Sequence, residues 1–267
     1  MKKSITPCAC LLAGLLLGLS GCRKAIEDYL KENPTAEYGY CRLKQFNFRT
    51  SGTIGTQRGI SDTMVFTYNA YGDPVTGLRA HWSTGYPNFL FRYDHFNRLT
   101  DLVGFYGYNP DFSGGVEIWS RYKYDGHGRI VLDSFYMFPT VVDDHPTLGE
   151  YGTVFLNTYE YDAQGRIVKF TYGSNYFHTP TVYSYGADGN LTGTPHDNKI
   201  NLHRTNKVWM FLDRDYSVNN PLTAAYTYND HGLPVGIIPT AGTEMSFMDL
   251  GWTQLEYDRA DVRYDCK

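Results

Sequence analysis

Residues 122–130 read Tyr122-Lys123-Tyr124-Asp125-Gly126-His127-Gly128-Arg129-Ile130, and residues 159–167 repeat the pattern as Tyr159-Glu160-Tyr161-Asp162-Ala163-Gln164-Gly165-Arg166-Ile167. Alternate rings place two aromatics on one side of an extended chain. Asp then offers a local acceptor that opens a turn. Four residues after the second Tyr stands Gly, which takes positive φ at no steric cost. Together these residues predict a β-hairpin whose type I turn ends in a left-handed bulge residue.

The unit recurs along the chain, and repeats decide architecture before anything else does. The further copies are Phe66-Thr67-Tyr68-Asn69 with Gly72, Phe91-Arg92-Tyr93-Asp94 with Asn97, Tyr183-Ser184-Tyr185-Gly186 with Gly189, and Tyr226-Thr227-Tyr228-Asn229 with Gly232. Leu255-Glu256-Tyr257-Asp258 reads as a truncated seventh. Asn97 in place of Gly supports the turn reading, because Asn tolerates the left-handed region. A simple register makes Asp125 face Arg129, Tyr124 face Ile130 and Tyr122 face Leu132, with rings and aliphatics on one face and Asp125, Lys123 and Arg129 on the other. Pro74 and Pro234, two residues after the turn glycines, point their hairpins toward the sheet margins.

These repeats predict an all-β fold: one antiparallel meander of hairpins forming a large curved sheet, with a two-sheet sandwich as the alternative. Amphipathic helical runs are scarce after residue 32. Long connections fall at residues 77–89, 104–118, 136–153, 193–224 and 239–253, where binding residues commonly sit on a rigid scaffold.

The chain start carries an address. Lys2 and Lys3 precede the apolar run Leu11–Leu19, which is too short to span a bilayer, and the break Leu19-Ser20-Gly21-Cys22 follows. Residues 1–21 read as a secretory signal peptide. The break resembles the lipobox of bacterial lipoproteins, which implies lipid on Cys22 and cleavage before it; the alternative is an ordinary signal peptide with a chance Cys. Acyl chains of this kind hold a soluble domain at a membrane. Arg23 after Cys22 implies, by the same resemblance, outer-membrane rather than inner-membrane retention. Residues 22–40 form the lipidated N-terminus and tether, with a helical turn at Ala25–Lys31, and residues 41–267 form the β domain.

Removing residues 1–21 leaves 246 residues with 22 basic and 28 acidic side chains, a formal charge of −6 with no electrostatic footprint for nucleic acid. Cys41 and Cys266 are the two cysteines left beside Cys22. An exported chain favours pairing them, first strand to last; separate buried thiols are the alternative.

The unit Tyr-Asp-x-x-Gly-Arg-aliphatic resembles the YD repeat of Rhs-type proteins, best at Asp125–Arg129 and Asp162–Arg166. In large members many repeats form a shell around a cargo. Here the Tyr-to-Tyr steps are 25, 31, 37, 24, 43 and 29 residues, too few and too uneven to enclose one. The chain is similar instead to short YD-rich Gram-negative lipoproteins, a likeness that extends to Asn198–Pro221.

Chemistry-bearing motifs are sparse. There is no nucleophile elbow, P-loop or dinucleotide fingerprint. Asp143-Asp144-His145, the set His196, Asp197 and His203, and Asp213-Arg214-Asp215 match no recognised ligand spacing, so no metal and no cofactor is expected. Aromatics of the long connections are the ligand-binding candidates: Trp82, Tyr86, Tyr106, Tyr108, Phe112, Tyr136 and Phe138; the bland reading is that they fill the sheet's second face. The function expected is a non-enzymatic envelope binding or scaffold module, membrane-tethered, whose partner is an envelope glycan or protein. A carrier of an apolar ligand and a polysaccharide or peptide hydrolase are the alternatives.

Overall fold

In five hairpins the turn forms as its residues dictate. Asp125 Oδ1 accepts from the backbone N–H of His127 and of Arg129, both at 2.9 Å, and Asp94, Asp162, Asn69 and Asn229 do the same in their turns. The bulge residue has φ of 76° at Gly128, 75° at Gly165 and 58° at Asn97. Where Arg follows, its Nε donates back to the turn carboxylate, as from Arg129 to Asp125 at 2.9 Å.

The computed structural model describes residues 41–54, 57–173, 178–240, 245–250 and 255–266. The segments expected to be a signal peptide (residues 1–21) and a lipidated tether (residues 22–40, with a helical turn at Ala25–Lys31) lie outside the described residues. The strands are β1 (Cys41–Ile54), β2 (Gln57–Tyr68), β3 (Pro74–Arg79), β4 (Asn88–Tyr93), β5 (Leu99–Phe105), β6 (Val116–Tyr124), β7 (Ile130–Met137), β8 (Thr140–Val142), β9 (His145–Thr147), β10 (Thr153–Tyr161), β11 (Ile167–Gly173), β12 (His178–Val182), β13 (His196–Ile200), β14 (Asn219–Pro221), β15 (Ala224–Tyr228), β16 (Pro234–Pro239), β17 (Met245–Phe247), β18 (Leu255–Tyr257) and β19 (Arg259–Cys266). Thirteen of them form one sheet in the order β12-β11-β10-β7-β6-β5-β4-β3-β2-β1-β19-β16-β15. It is the large antiparallel sheet of hairpins that the repeats imply, and not a two-sheet sandwich. A sheet this wide curls. The first and last strands are neighbours within it, with Cys41 opposite Cys266 and the two joined by a disulfide.

Successive repeats are stapled by their tyrosines. Tyr161 Oη donates to the Ile130 carbonyl at 2.7 Å, Tyr124 to Leu99 at 2.8 Å and Tyr93 to Pro74 at 2.7 Å. Each turn arginine then lies over the next repeat's ring: Arg98 over Tyr124 at 4.9 Å, Arg129 over Tyr161 at 5.2 Å and Arg166 over Tyr185 at 4.2 Å.

Several sequence expectations need correction. Tyr124 faces Ile130 as expected, but Tyr122 faces Asp133 and not Leu132. A register shift between Lys123 and Tyr124 inserts one extra residue on β7, and such a bulge reverses the inside–outside alternation beyond it. The same shift occurs in all five hairpins. Pro74 does not mark a margin: β3 is interior, and Pro is accommodated there as the strand's first residue. The fifth repeat makes its turn, with Gly189 at φ 80°, yet only an isolated bridge from Tyr185 to Leu191. The truncated seventh is not a hairpin of the main sheet; β18 pairs with β17 instead.

One element escaped the sequence reading. Residues 193–224 contain a 3₁₀ turn (Leu202–Thr205) and α1 (Lys207–Asp213), in which Val208, Trp209, Met210, Phe211 and Leu212 are all buried. A helix apolar all round gives no amphipathic signal. Asn206 caps it through Val208 N–H at 2.8 Å and ties it to the first hairpin turn by donating to the Gly72 carbonyl at 3.0 Å. Trp209 meets Phe66, Phe91 and Phe247 with centroids at 5.0, 5.7 and 5.4 Å. The sheet's ring-bearing face is thus covered by α1 and its neighbours, and a smaller cluster of Val103, Phe105, Val116 and Trp119 lies on the opposite face. Among the described residues no helix is long and apolar enough to cross a membrane.

Candidate functional site

At one end of the covered face α1 stops short, and a cleft of about 500 Å³ remains between the sheet and the chain that follows the helix. Its sheet wall is built by β6, β7, β10 and β11. Tyr122, Asp133 and Asn157 lie in register across the first three of these strands. Phe135, Tyr159, Phe170 and Tyr172 add rings, and Phe211, Leu212, Arg214, Asp249 and Leu250 form the opposite wall.

The bulge is what brings Asp133 here. The ninth residue after the repeat tyrosine faces the leading aromatic in each hairpin: Gly77, Leu102, Phe170 and Ile237 in four of them, Asp133 in the third. A carboxylate therefore occupies a position that otherwise takes an apolar or absent side chain. It is 4% exposed. Its Oδ2 accepts from Ser120 Oγ at 3.3 Å and Asn157 Nδ2 at 3.2 Å, while Oδ1 has no partner among the described residues. Burial pushes its pKa up to about 7, against the weaker pull of Asn157, Ser120 and, last, Arg214.

Arg214 follows α1 in the left-handed region at φ 54°, a place that favours Gly. The backbone turn sends the guanidinium over Phe170, 4.7 Å from its centroid. Its Nη2 pairs with Asp249 Oδ2 at 2.5 Å, its Nη1 donates to the Asp249 carbonyl at 3.2 Å, and its Nε has no partner among the described residues. Burial would lower its pKa, but Asp249, with Tyr183, Tyr159 and Asp213, raises it.

Two sequence clusters converge beside the helix. His203 stands between Asp213, with Nε2 to Oδ2 at 3.0 Å, and Asp215, with Nδ1 to Oδ2 at 3.2 Å. Burial would lower its pKa; the two carboxylates overcome that and raise it to about 10. Asp213 also accepts from the N–H groups of Met248 and Asp249. This buried ion cluster fixes the end of α1 and the far wall of the cleft. Asp143 and Asp144 are the two-residue turn of the β8–β9 hairpin, both at positive φ, and Asp144 pairs with Arg92 at 2.7 Å.

The aromatics singled out from the long connections do not line the cleft. Phe112 and Tyr136 pack against the second-face cluster. Tyr86 lies under Arg79, 4.8 Å from its guanidinium. Tyr106 stacks on Trp82 at 5.7 Å and donates to the buried Glu117 at 2.7 Å. Trp82, Tyr108 and Phe138 keep large exposed areas. Asp133 and Arg214, which the sequence reading did not single out as binding candidates, carried one readable signal: aligned on the tyrosines of the six full repeats, Asp133 is the charged exception at a position otherwise held by Gly77, Leu102, Phe170, Thr194 and Ile237.

Fold and cleft together define an all-β protein of linked Tyr-Asp hairpins with a helix-covered face. No protein-family profile matches the chain, and no curated protein matches it. Among solved structures it is similar to the crystal structure of TcdB2–TccC3–Cdc42 (TM-score 0.24, 14% identity, covering 73% of this chain and 11% of that one) and to the Tc holotoxin pore of Photorhabdus luminescens (TM-score 0.23, 15% identity, 73% and 11%). It is also similar to a porin-like protein from Bacteroides uniformis (TM-score 0.29, 11% identity, 84% and 98%). The chain spans about a tenth of the length of the toxin chains. Its YD-like character rests on its own turns rather than on these superpositions.

Proposed function

We propose that this protein is a non-enzymatic binding module, tethered to the outer membrane by lipid on Cys22 and similar in kind to the short YD-rich Gram-negative lipoproteins, which seats a group of an envelope glycan or protein in the cleft beside Asp133. The observation that carries this reading is the cleft itself, ring-walled, with a buried acceptor on Asp133 and a buried donor on Arg214 that have no partner among the described residues. Ligand pockets are concave and mostly apolar, with a few placed polar groups. The test has two arms. Cys22→Ser should release the protein from membranes, and continued membrane retention contradicts the anchor. Screening against envelope glycans and proteins should find binding that Tyr172→Ala or Asp133→Asn weakens; binding untouched by both variants removes the cleft from the account.

One observation favours a second reading, a glycan hydrolase. Two carboxylates line one cleft, Asp133 buried with its pKa raised to about 7 and Asp249 paired with Arg214, and glycoside hydrolysis uses two carboxyl groups in different environments. Release of product from chromogenic glycosides, abolished by Asp133→Asn, would favour it over simple binding.

A further inference from the structure

The charges in the cleft do not balance. Apart from tyrosines, its ionisable side chains are Asp133, Arg214 and Asp249. Arg214 and Asp249 are paired with each other. Asp133 is left with two neutral donors, Ser120 and Asn157, and one oxygen without a partner among the described residues. Buried charges are ordinarily paired or neutralised, and among the described residues no cation pairs with this carboxylate, Arg214 acting on it only weakly.

Its surroundings suit one. Tyr122, Phe135, Tyr159 and Tyr172 line the same cleft, and ring faces attract cations at short range. Arg214 over Phe170 is an instance already in place. A hydroxyl would also donate to Asp133, but a charge-assisted hydrogen bond is roughly twice as strong as a neutral one, and only a cation offsets the buried charge.

We propose that the cleft takes a ligand carrying a primary ammonium group, with the ammonium donating to the Asp133 carboxylate and the surrounding rings enclosing its carbon stem. This rests on the cleft being a ligand site at all. An amino sugar and an aminoalcohol headgroup share the required chemistry.

The binding is coupled to protons. Asp133 must be ionised to receive the ammonium, and without ligand it is neutral below about pH 7. The groups that face it change little in that range: Tyr122 and Tyr159 are raised well above their usual value, Tyr183 is raised, and Arg214, held by Asp249, stays charged.

Calorimetry on the full chain in detergent, with matched probes, tests this: D-glucosamine against D-glucose, and ethanolamine against ethylene glycol. At pH 8 one amine should bind at least about tenfold tighter than its hydroxyl counterpart; as Asp133 takes up a proton between pH 8 and pH 6 the affinity should fall about tenfold for ethanolamine and less for D-glucosamine, whose own ammonium is partly deprotonated at pH 8. The pair that responds tells amino sugar from headgroup. Asp133→Asn should erase the amine preference, while Tyr172→Ala should weaken binding and keep it; thermal melts establish that both variants fold. Equal binding of both members of a pair, reduced by Tyr172→Ala, overturns the amine and leaves the cleft as a ligand site. If no probe binds and no envelope component does either, both readings fall.

Discussion

Tyr122 and Asp133 face each other across β6 and β7. The extra residue on β7 puts Asp133, rather than Leu132, on the ring-bearing side of the sheet. Four equivalent positions hold Gly77, Leu102, Phe170 and Ile237, so the scaffold alone does not call for a carboxylate there, and the third hairpin carries one at a cost in stability.

That cost depends on pH. Asp133 stays neutral in the fold up to about pH 7, whereas an unfolded Asp ionises near 3.9. A raised carboxyl pKa means the folded state binds the proton more tightly, so stability falls as pH rises between these values. Asp133→Asn should therefore melt higher than the native protein at pH 8, by a margin that shrinks toward pH 4. Thermal melts across this range check the slope.

His203 acts with the opposite linkage. Asp213 and Asp215 raise its pKa to about 10, so its contribution is complete below its unfolded value near 6.5 and is lost as pH climbs through 10. Replacing His203 by Gln should destabilise the protein clearly at pH 6 and much less at pH 10.5, measured by denaturant unfolding.

The helix cover is worth several kcal/mol. Trp209→Ala empties the contact with Phe66, Phe91 and Phe247 and should cost about 3–5 kcal/mol. Tyr161→Phe removes one staple to the Ile130 carbonyl and should cost about 1 kcal/mol. Urea unfolding of the two variants separates them.

The Cys41–Cys266 bond closes a separation of 225 residues. Chain-entropy reasoning gives a loop of that size up to about 5 kcal/mol. Reductant should lower the melting temperature, and mass spectrometry without reductant should find neither thiol free to alkylate.

Much of the fold was legible because the hairpin signal is local. The Asp acceptor, the positive-φ position and the alternate rings all act within nine residues, and each has one physical solution. The bulge was not legible, because one inserted residue leaves the sequence pattern of Tyr124 and Ile130 intact while reversing everything after it. Helix α1 was missed for a different reason: Val208–Leu212 is buried on every side, so its pattern has no period. Its cap, Asn206, was visible, but its partners Gly72 and Asp73 lie far along the chain. The cleft depends on both features, so the sequence reading, which singled out loop aromatics, did not reach it.

Carbon-detected NMR titration of the Asp133 carboxyl in the ligand-free protein tests the central claim most directly. A midpoint near pH 7 is the result expected of a buried, half-partnered carboxylate on the ring-bearing face; a midpoint near 4 would mean that Asp133 meets solvent, that the bulge does not turn it inward, and that the site lies elsewhere.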